Sequence, residues 1–277
     1  MDQAISNQSE YMVTATIVTY NNDHELLSKA INSFLNTDLP VRLYIVDNSP
    51  EKGVEVLCND SRIEYIFANG NNGFGAGHNI VIKKKSRLGK YHLVLNPDVY
   101  YEAGVVENLV KFMDENEDVG LCMPNVRYPN GQLQYLAKLL PTPLNLLGRF
   151  LRLERFNKTS KEIYEMRFSG YDKVMSVPYL SGCFMFIRSE VLSKVGGFDE
   201  GFFMYCEDID LSRRIGMESE TSFYPYVNIY HEFQKGSSKS IKLMIIHIKS
   251  AIHYFNKWGW FSDDERNRIN KAAINQF

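Results

Sequence analysis

Cysteine is scarce in this chain of 277 residues: Cys58, Cys122, Cys183 and Cys206 stand far apart, without a CxxC pair. That spacing excludes a zinc ribbon and a disulfide framework, and it suits a reducing compartment. Long apolar runs are also missing. Every apolar stretch is broken by Lys, His or Asn well short of the roughly 20 residues a spanning helix needs. The formal net charge is only −2, so there is no basic excess of the kind that marks a nucleic-acid partner. No internal repeat and no low-complexity tract interrupt the chain. The first residues, MDQAISNQSEY, are polar; they read as a frayed terminus rather than a secretory leader. What remains, 44% apolar and 23% charged residues, is an ordinary globular composition. It is long enough to bury a full core, as one large domain or one domain with an appendage.

Hydrophobic periodicity divides the first hundred residues into strands and helices. Met12 to Val18 reads as a β-branched first strand. An amphipathic helix follows, with Leu26, Leu27, Ala30, Ile31, Phe34 and Leu35 on one face and Asn22 with Glu25 as a capping pair. Val41 to Val46, Ile63 to Phe67 and Tyr91 to Leu95 read as three further strands, with a helix to about Leu88 before the last of them. Strands alternating with helices imply a largely parallel, doubly wound α/β sheet. The second half is less regular. Val105 to Asn116 reads as a helix, Val119 to Pro124 as a strand, and Val177 to Arg188 as a strand broken at Gly182-Cys183. A helix opens near Glu207. A final helix, Lys239 to about Trp258, places Ile241, Met244, Ile245, Ile248, Ile252 and Phe255 on one face.

Polar residues gather where the strands end: Thr19-Tyr20-Asn21, Asp47-Asn48 and Asn96-Pro97-Asp98. In a parallel sheet these ends share one edge, where open α/β sheets bind ligands. Asn96-Pro97-Asp98 is good turn chemistry. It is equally a perch for a carboxylate that shares a hard divalent cation with a diphosphate. The cluster Gly73-Phe-Gly75-Ala-Gly77 lacks the G-x-G-x-x-G spacing and the position after the first strand that a dinucleotide fold requires. It leaves two readings, a helix start that approaches a nucleotide closely or a flexible turn. Glu207, Asp208 and Asp210 put three carboxylates in four residues. Two readings stand: carboxylates favoured at a helix start by its dipole, or a general base that removes a proton from an alcohol nucleophile. His231 ends a strand-like segment, as a metal ligand or as a structural histidine. Lys235, Ser237 and Lys239 lie in a small basic stretch that suits either a loop closing over a diphosphate or a solvated linker. Leu144 to Phe156 and the final helix are basic and apolar, fit to rest on a membrane surface; for the final helix, packing on the core is the alternative.

Taken in order, these pieces resemble the family 2 glycosyltransferases of GT-A fold, and within them the rhamnosyltransferase-like enzymes of bacterial polysaccharide assembly. The resemblance runs from about Thr14 to Trp258. It is carried by Thr16-Ile-Val-Thr-Tyr20-Asn21, Val46-Asp47-Asn48-Ser49, Asn71-Asn72-Gly73-Phe74-Gly75, Asn96-Pro97-Asp98, Gly182-Cys-Phe-Met-Phe-Ile-Arg188, Gly197-Phe198-Asp199-Glu200, Phe203 to Asp210, and His231. It implies a Rossmann-like, mostly parallel sheet flanked by helices, with a C-terminal helical extension. The implied layout is a disordered N-terminus over 1–10 and a catalytic domain over 11–235. That domain has a nucleotide-binding half (11–100) and an acceptor-binding half (101–235), and a C-terminal loop and helices fill 236–277.

By the same resemblance, Thr19, Tyr20, Asn21, Asp47, Asn72, Gly75 and Asn96 hold the nucleotide. Asp98, the last carboxylate of the family's DxD motif, and His231 hold Mg²⁺ or Mn²⁺. Asp208 is the catalytic base, Glu207 positions acceptor or sugar, and Gly182 and Cys183 line the sugar and acceptor pocket. Asn96 stands where the motif's first Asp is expected, so Asp98 carries the cation with less help. The implied reaction is a single inverting displacement from a dTDP- or UDP-linked sugar to a hydroxyl of a glycan or polyprenyl-diphosphate-linked acceptor. The implied place is the cytoplasm, at the inner face of the membrane. A sugar-nucleotide-binding module without activity and a nucleotidyltransferase are the rival readings.

Overall fold

A computed structural model describes residues 10–147, 158–232 and 240–277. Four parallel strands form one half of the main sheet: β1 (Val13–Thr19), β2 (Val41–Asp47), β3 (Ile63–Phe67) and β4 (Tyr91–Leu95). The rest adds β5 (Val99–Tyr101), β6 (Val119–Arg127), β10 (Phe184–Arg188) and β11 (Glu220–His231), in the order β3-β2-β1-β4-β10-β6-β11-β5. β8 (Met175–Ser176) pairs with β11, and β7 (Ala137–Lys138) with β9 (Tyr179–Leu180) makes a small separate sheet. The helices are α1 (His24–Leu35), α2 (Phe74–Ile82), α3 (Val105–Glu115), α4 (Pro143–Leu147), α5 (Lys158–Tyr164), α6 (Ser189–Val195), α7 (Glu207–Gly216), α8 (Ile241–Trp258) and α9 (Asp264–Ile274).

Topology decides what meets at the sheet edge. The order 3-2-1-4 reverses between β1 and β4, a switch point of the kind that opens a crevice outside the strand ends. Thr19 pairs with Asp47 and Ile17 with Leu95, so β1, β2 and β4 end together. β10 runs antiparallel to β4, with Phe184 opposite Leu95, and therefore starts at that edge. β6 is antiparallel to β10 and β11 is parallel to β6, so both end there too. β5 turns back along β11 with Val99 opposite His231. Residues from seven strands, β1, β2, β4, β5, β6, β10 and β11, thus reach one rim. Beneath it, Val13, Ala15, Ile17, Leu43, Ile45, Leu93, Leu95, Phe184 and Phe186 are fully buried.

Several sequence expectations need correction. The cap of α1 is Asp23, whose Oδ1 accepts the amides of Glu25 and Leu26; Asn22 instead accepts the Tyr20 amide. α2 stops at Ile82 rather than near Leu88. The strand expected from Val177 to Arg188 is two strands in different sheets, separated at 181–183. α8 faces the core with His247, Ser250, Ala251, Tyr254 and Phe255; of the six residues in the predicted apolar stripe only Phe255 is buried. The polar-looking face won because it finds specific partners, described below.

Candidate active site

Asp98 follows the turn made by Asn96 and Pro97. The Asn96 amide donates to the Cys183 carbonyl at 3.0 Å, which ties the end of β4 to the start of β10. The Glu232 amide donates to the Asp98 carbonyl at 3.0 Å, and this brings the end of β11 alongside. His231 Nε2 then lies 3.5 Å from Asp98 Oδ1. On the other side of the ring, Nδ1 is 3.1 Å from Gln134 Oε1. Gln134 Nε2 donates to the carbonyls of His231 and Arg127, so its oxygen is the acceptor and the ring proton belongs on Nδ1. Nε2 of the neutral ring is thereby left with its lone pair toward Asp98. Burial raises the Asp98 carboxyl, against the effect of His231 and the neighbouring Asn96 side chain. Burial lowers His231, against the effect of Asp98.

This pair fits a divalent cation. Asp98 Oδ1 is buried without a hydrogen-bond partner, and the Gln134–His231 contact is the outer support that metal-binding imidazoles use. Among the described residues no group of three or more His, Cys, Asp or Glu is arranged to hold a metal. A cation here therefore depends on phosphate and water for its remaining ligands, as Mg²⁺ does.

Asp208 lies in the first turn of α7, whose entry is strained. Tyr205 and Cys206 adopt φ of 71° and 68°, left-handed values unusual for non-glycine residues. The Asp208 carboxylate accepts the Gly182 amide at 2.9 Å, the Tyr179 hydroxyl at 3.1 Å and the Ile209 amide at 2.9 Å. The fit at Gly182 is close: a Cβ there would stand 3.0 Å from Asp208 Cβ and would press on that side chain. Burial pushes both Glu207 and Asp208 above the ordinary carboxyl range. In Asp208 the three donors oppose that push; Glu207 is instead driven higher by Asp208, and its Oε2 is buried without a partner. Asp208 is thus the member of the pair better held as a carboxylate, while Glu207 favours its neutral form. Lys138, opposite Tyr179 across the β7–β9 ladder, places its Nζ 5.7 Å over the Tyr179 ring and 5.8 Å over Tyr164, and its charge also favours ionised Asp208.

Cys183 joins the two centres. It is buried, its thiol is pushed up to about 12 chiefly by burial, and the charges of Asp98 and Asp208 both act on it. The third carboxylate of the window is separate. Asp210 takes Trp258 Nε1, Lys257 Nζ and Arg214 Nε within 2.8 Å and holds α8 to α7.

At the nucleotide end, Asp47 is fully buried and accepts from Thr19 Oγ1, the Ser49 amide and the Tyr65 hydroxyl. Burial pushes Asp47 up, but hydrogen bonds from Ser49, Tyr65 and Thr19 outweigh it and hold the carboxyl below its ordinary range. Asn21, at φ 51°, donates its amide to Ser49 Oγ, and Tyr20 is half exposed beside it. Asn72 is exposed at the crevice side of α2. Gly75 is buried, and a Cβ there would come 2.8 Å from Phe198 Cβ, so packing rather than approach to a nucleotide explains this glycine. Lys235, Ser237 and Lys239 lie outside the described residues. Sequence reasoning missed Gln134, Tyr179, Tyr65 and Lys138. Only the folded chain, which brings them to partners such as those 18 to 97 residues away, reveals them.

Comparison with known proteins shows the family and the fold. Residues 14–196 match the family described as Glycosyl transferase family 2. The chain is 25% identical over 270 residues to rhamnosyltransferase WbbL of Escherichia coli (strain K12), covering 94% of this chain and 99% of that protein. It is 26% identical over 234 residues to the N-acetylglucosaminyl-diphospho-decaprenol L-rhamnosyltransferase of Mycobacterium tuberculosis, covering 77% of this chain and 74% of that protein. In fold it is similar to GalNAc-T7, solved with UDP, GalNAc and Mn²⁺ (TM-score 0.61, 15% identity, 81% of this chain and 43% of that one). It is also similar to S. aureus TarS (TM-score 0.58, 15% identity, 95% of this chain and 43% of that one). With the matched segment spanning most of the chain and holding Asp47, Asp98 and Gly182, the protein belongs to glycosyltransferase family 2.

Proposed function

We propose that this chain moves a sugar, with inversion, from a dTDP- or UDP-linked donor such as dTDP-rhamnose to a hydroxyl of a glycan or polyprenyl-diphosphate-linked acceptor, in cell-surface polysaccharide synthesis. One observation carries the proposal: a hydrogen-bonded carboxylate, Asp208, held by the Gly182 amide, and a partly buried Asp98–His231 pair, beside Asn96 whose amide donates to the Cys183 carbonyl, lie on either side of Gly182-Cys183 at one sheet rim. The names of the relatives point to the same chemistry. The proposed location is the inner face of the cytoplasmic membrane. Among the described residues no helix is long and apolar enough to cross it.

In this mechanism Thr19, Tyr20, Asn21, Asp47, Asn72 and Asn96 bind the nucleoside end of the donor. Asp98 and His231 hold Mg²⁺ or Mn²⁺, which when bound neutralises charge on the diphosphate. Glu207, neutral and buried, orients the sugar or the acceptor through its free oxygen. Asp208 takes the proton of the acceptor hydroxyl as that oxygen forms its bond to the anomeric carbon. The bond from that carbon to the diphosphate oxygen breaks on the opposite face, and its electron pair leaves with the nucleotide. The Gly182 amide and Tyr179 hydroxyl keep the base aimed throughout. A thermal-shift and hydrolysis screen across nucleotide sugars, with Mg²⁺ or Mn²⁺, tests the donor class. A dTDP- or UDP-sugar is expected to raise Tm and to be consumed. A response to nucleoside triphosphates alone would favour a nucleotidyltransferase instead.

A further inference from the structure

The outer face of α8 is apolar where an exposed helix is ordinarily polar. Ile241 is 75% exposed, Ile245 47% and Ile252 40%. On a helical wheel these three fall within about 40° of one another, and Lys249 and Lys242 follow on one flank within about 60° of Ile245. From Ile241 to Trp258 the helix contains no Asp or Glu. Single exposed isoleucines need no explanation, but an apolar stripe edged by lysines is the pattern of a helix lying in a membrane interface. α4 packs against α8 and leaves Leu144 53% exposed; Phe261, three residues past the helix, is 83% exposed. The inner face of the same helix touches the catalytic loop: His247 stacks on Tyr205 at 4.6 Å and Ser250 Oγ donates to the Met204 carbonyl at 2.8 Å.

We propose that Ile241, Ile245 and Ile252, flanked by Lys242 and Lys249, dock α8 on an anionic phospholipid surface, so that the loop before Asp208, packed on the helix's inner face, keeps a fixed position relative to that surface. Charge complementarity selects this occupant. The stripe's flank is cationic only, because Lys242 and Lys249 lie on it and the helix has no Asp or Glu; Lys257, engaged by Asp199 and Asp210, is not counted with them. A second copy of this chain would set lysines against lysines across a two-fold axis. One helical stripe also falls short of the roughly 800 Å² per partner of a stable interface. The benefit to catalysis rests on the proposed lipid-linked acceptor; membrane docking itself does not.

Flotation with vesicles of phosphatidylcholine containing roughly one-third phosphatidylglycerol tests the dock. The wild type is expected to float with these vesicles and to be released by salt. The double variants I245E/I252E and K242Q/K249Q should each lower the floated fraction at least about tenfold. Their thermal unfolding and donor hydrolysis should match the wild type. Equal flotation of variants and wild type, no flotation of the wild type, or a sedimenting dimer abolished by the same substitutions would overturn the proposal. Vesicle binding by a protein that turns over no nucleotide sugar would sink the transferase assignment and leave the dock standing.

Discussion

Asp208 and Glu207 are adjacent, yet their partners give them different work. Gly182, Tyr179 and Ile209 favour the ionised form of Asp208 against the push of burial, and Glu207 has none of these donors. Tyr179→Phe removes a hydrogen bond to the ionised form, so the Asp208 carboxyl rises further. Because the base must be unprotonated, the acid limb of the pH–rate profile should move to higher pH, with little change at its alkaline end. Gly182→Ala pushes a methyl toward Asp208 Cβ, 3.0 Å away, and should lower kcat about tenfold or more while Tm stays near the wild-type value. Gln134→Leu leaves Asp98 and His231, the proposed metal ligands, in place but removes the Oε1 contact to His231 Nδ1. The Mn²⁺ or Mg²⁺ concentration giving half-maximal activity should then rise about 10- to 100-fold. Asp98, Asp208 and His231 could be proposed as candidates from the sequence, since each follows or opens a recognisable element. Gln134 and Tyr179 were not: a glutamine in a turn-rich stretch and one tyrosine among 17 carry no local signal. Their meaning comes from strands that meet only in the folded chain.

The elements were legible where local periodicity and burial agree. β3 and β4 occupy the ranges their residues predict, and α1 buries Leu27, Ala30, Ile31, Phe34 and Leu35 as expected. α8 shows where that logic fails. Its isoleucines mark an apolar face, but the core side is chosen by His247 on Tyr205, Ser250 on the Met204 carbonyl, and Trp258 on Asp210. Polar groups with fixed partners outcompeted an unspecific stripe. The same C-terminal unit is locked by Arg213, which donates through both terminal nitrogens to Asp263 at 2.7 and 2.8 Å with both side chains nearly inaccessible. Asp263 also caps α9 by accepting the Arg266 amide. Asp263→Ala would leave a buried guanidinium without its carboxylate. It should cost about 3–5 kcal/mol in denaturant unfolding, more than an exposed pair such as Lys29–Glu25 could.

For the molecule as a whole, the parallel half of the sheet could be read from alternating strands and helices. The mixed half could not, because β6 and β10 are neighbours in the sheet but separated in the chain by residues 128–183, a long, irregular connection. That half supplies His231, Gly182 and the Asp208 loop, so the site exists only when both halves close on the β4–β10 seam. The fold also buries titratable groups far from the chemistry. Burial pushes His92 down to about 3 and His78 below its ordinary value of 6.5. In the unfolded chain both take up protons near pH 6.5, so the unfolded state binds more protons below that pH. Stability should therefore be full above about pH 6.5 and decline as pH falls toward 3, and thermal unfolding across that range checks it. The central claim is that Asp208 is the base for glycosyl transfer at this rim, and the most direct measurement follows transfer and nucleotide binding on one preparation of Asp208→Asn. Transfer should fall about a thousandfold or more while nucleotide affinity stays within about twofold. Turnover near the wild-type rate would contradict it.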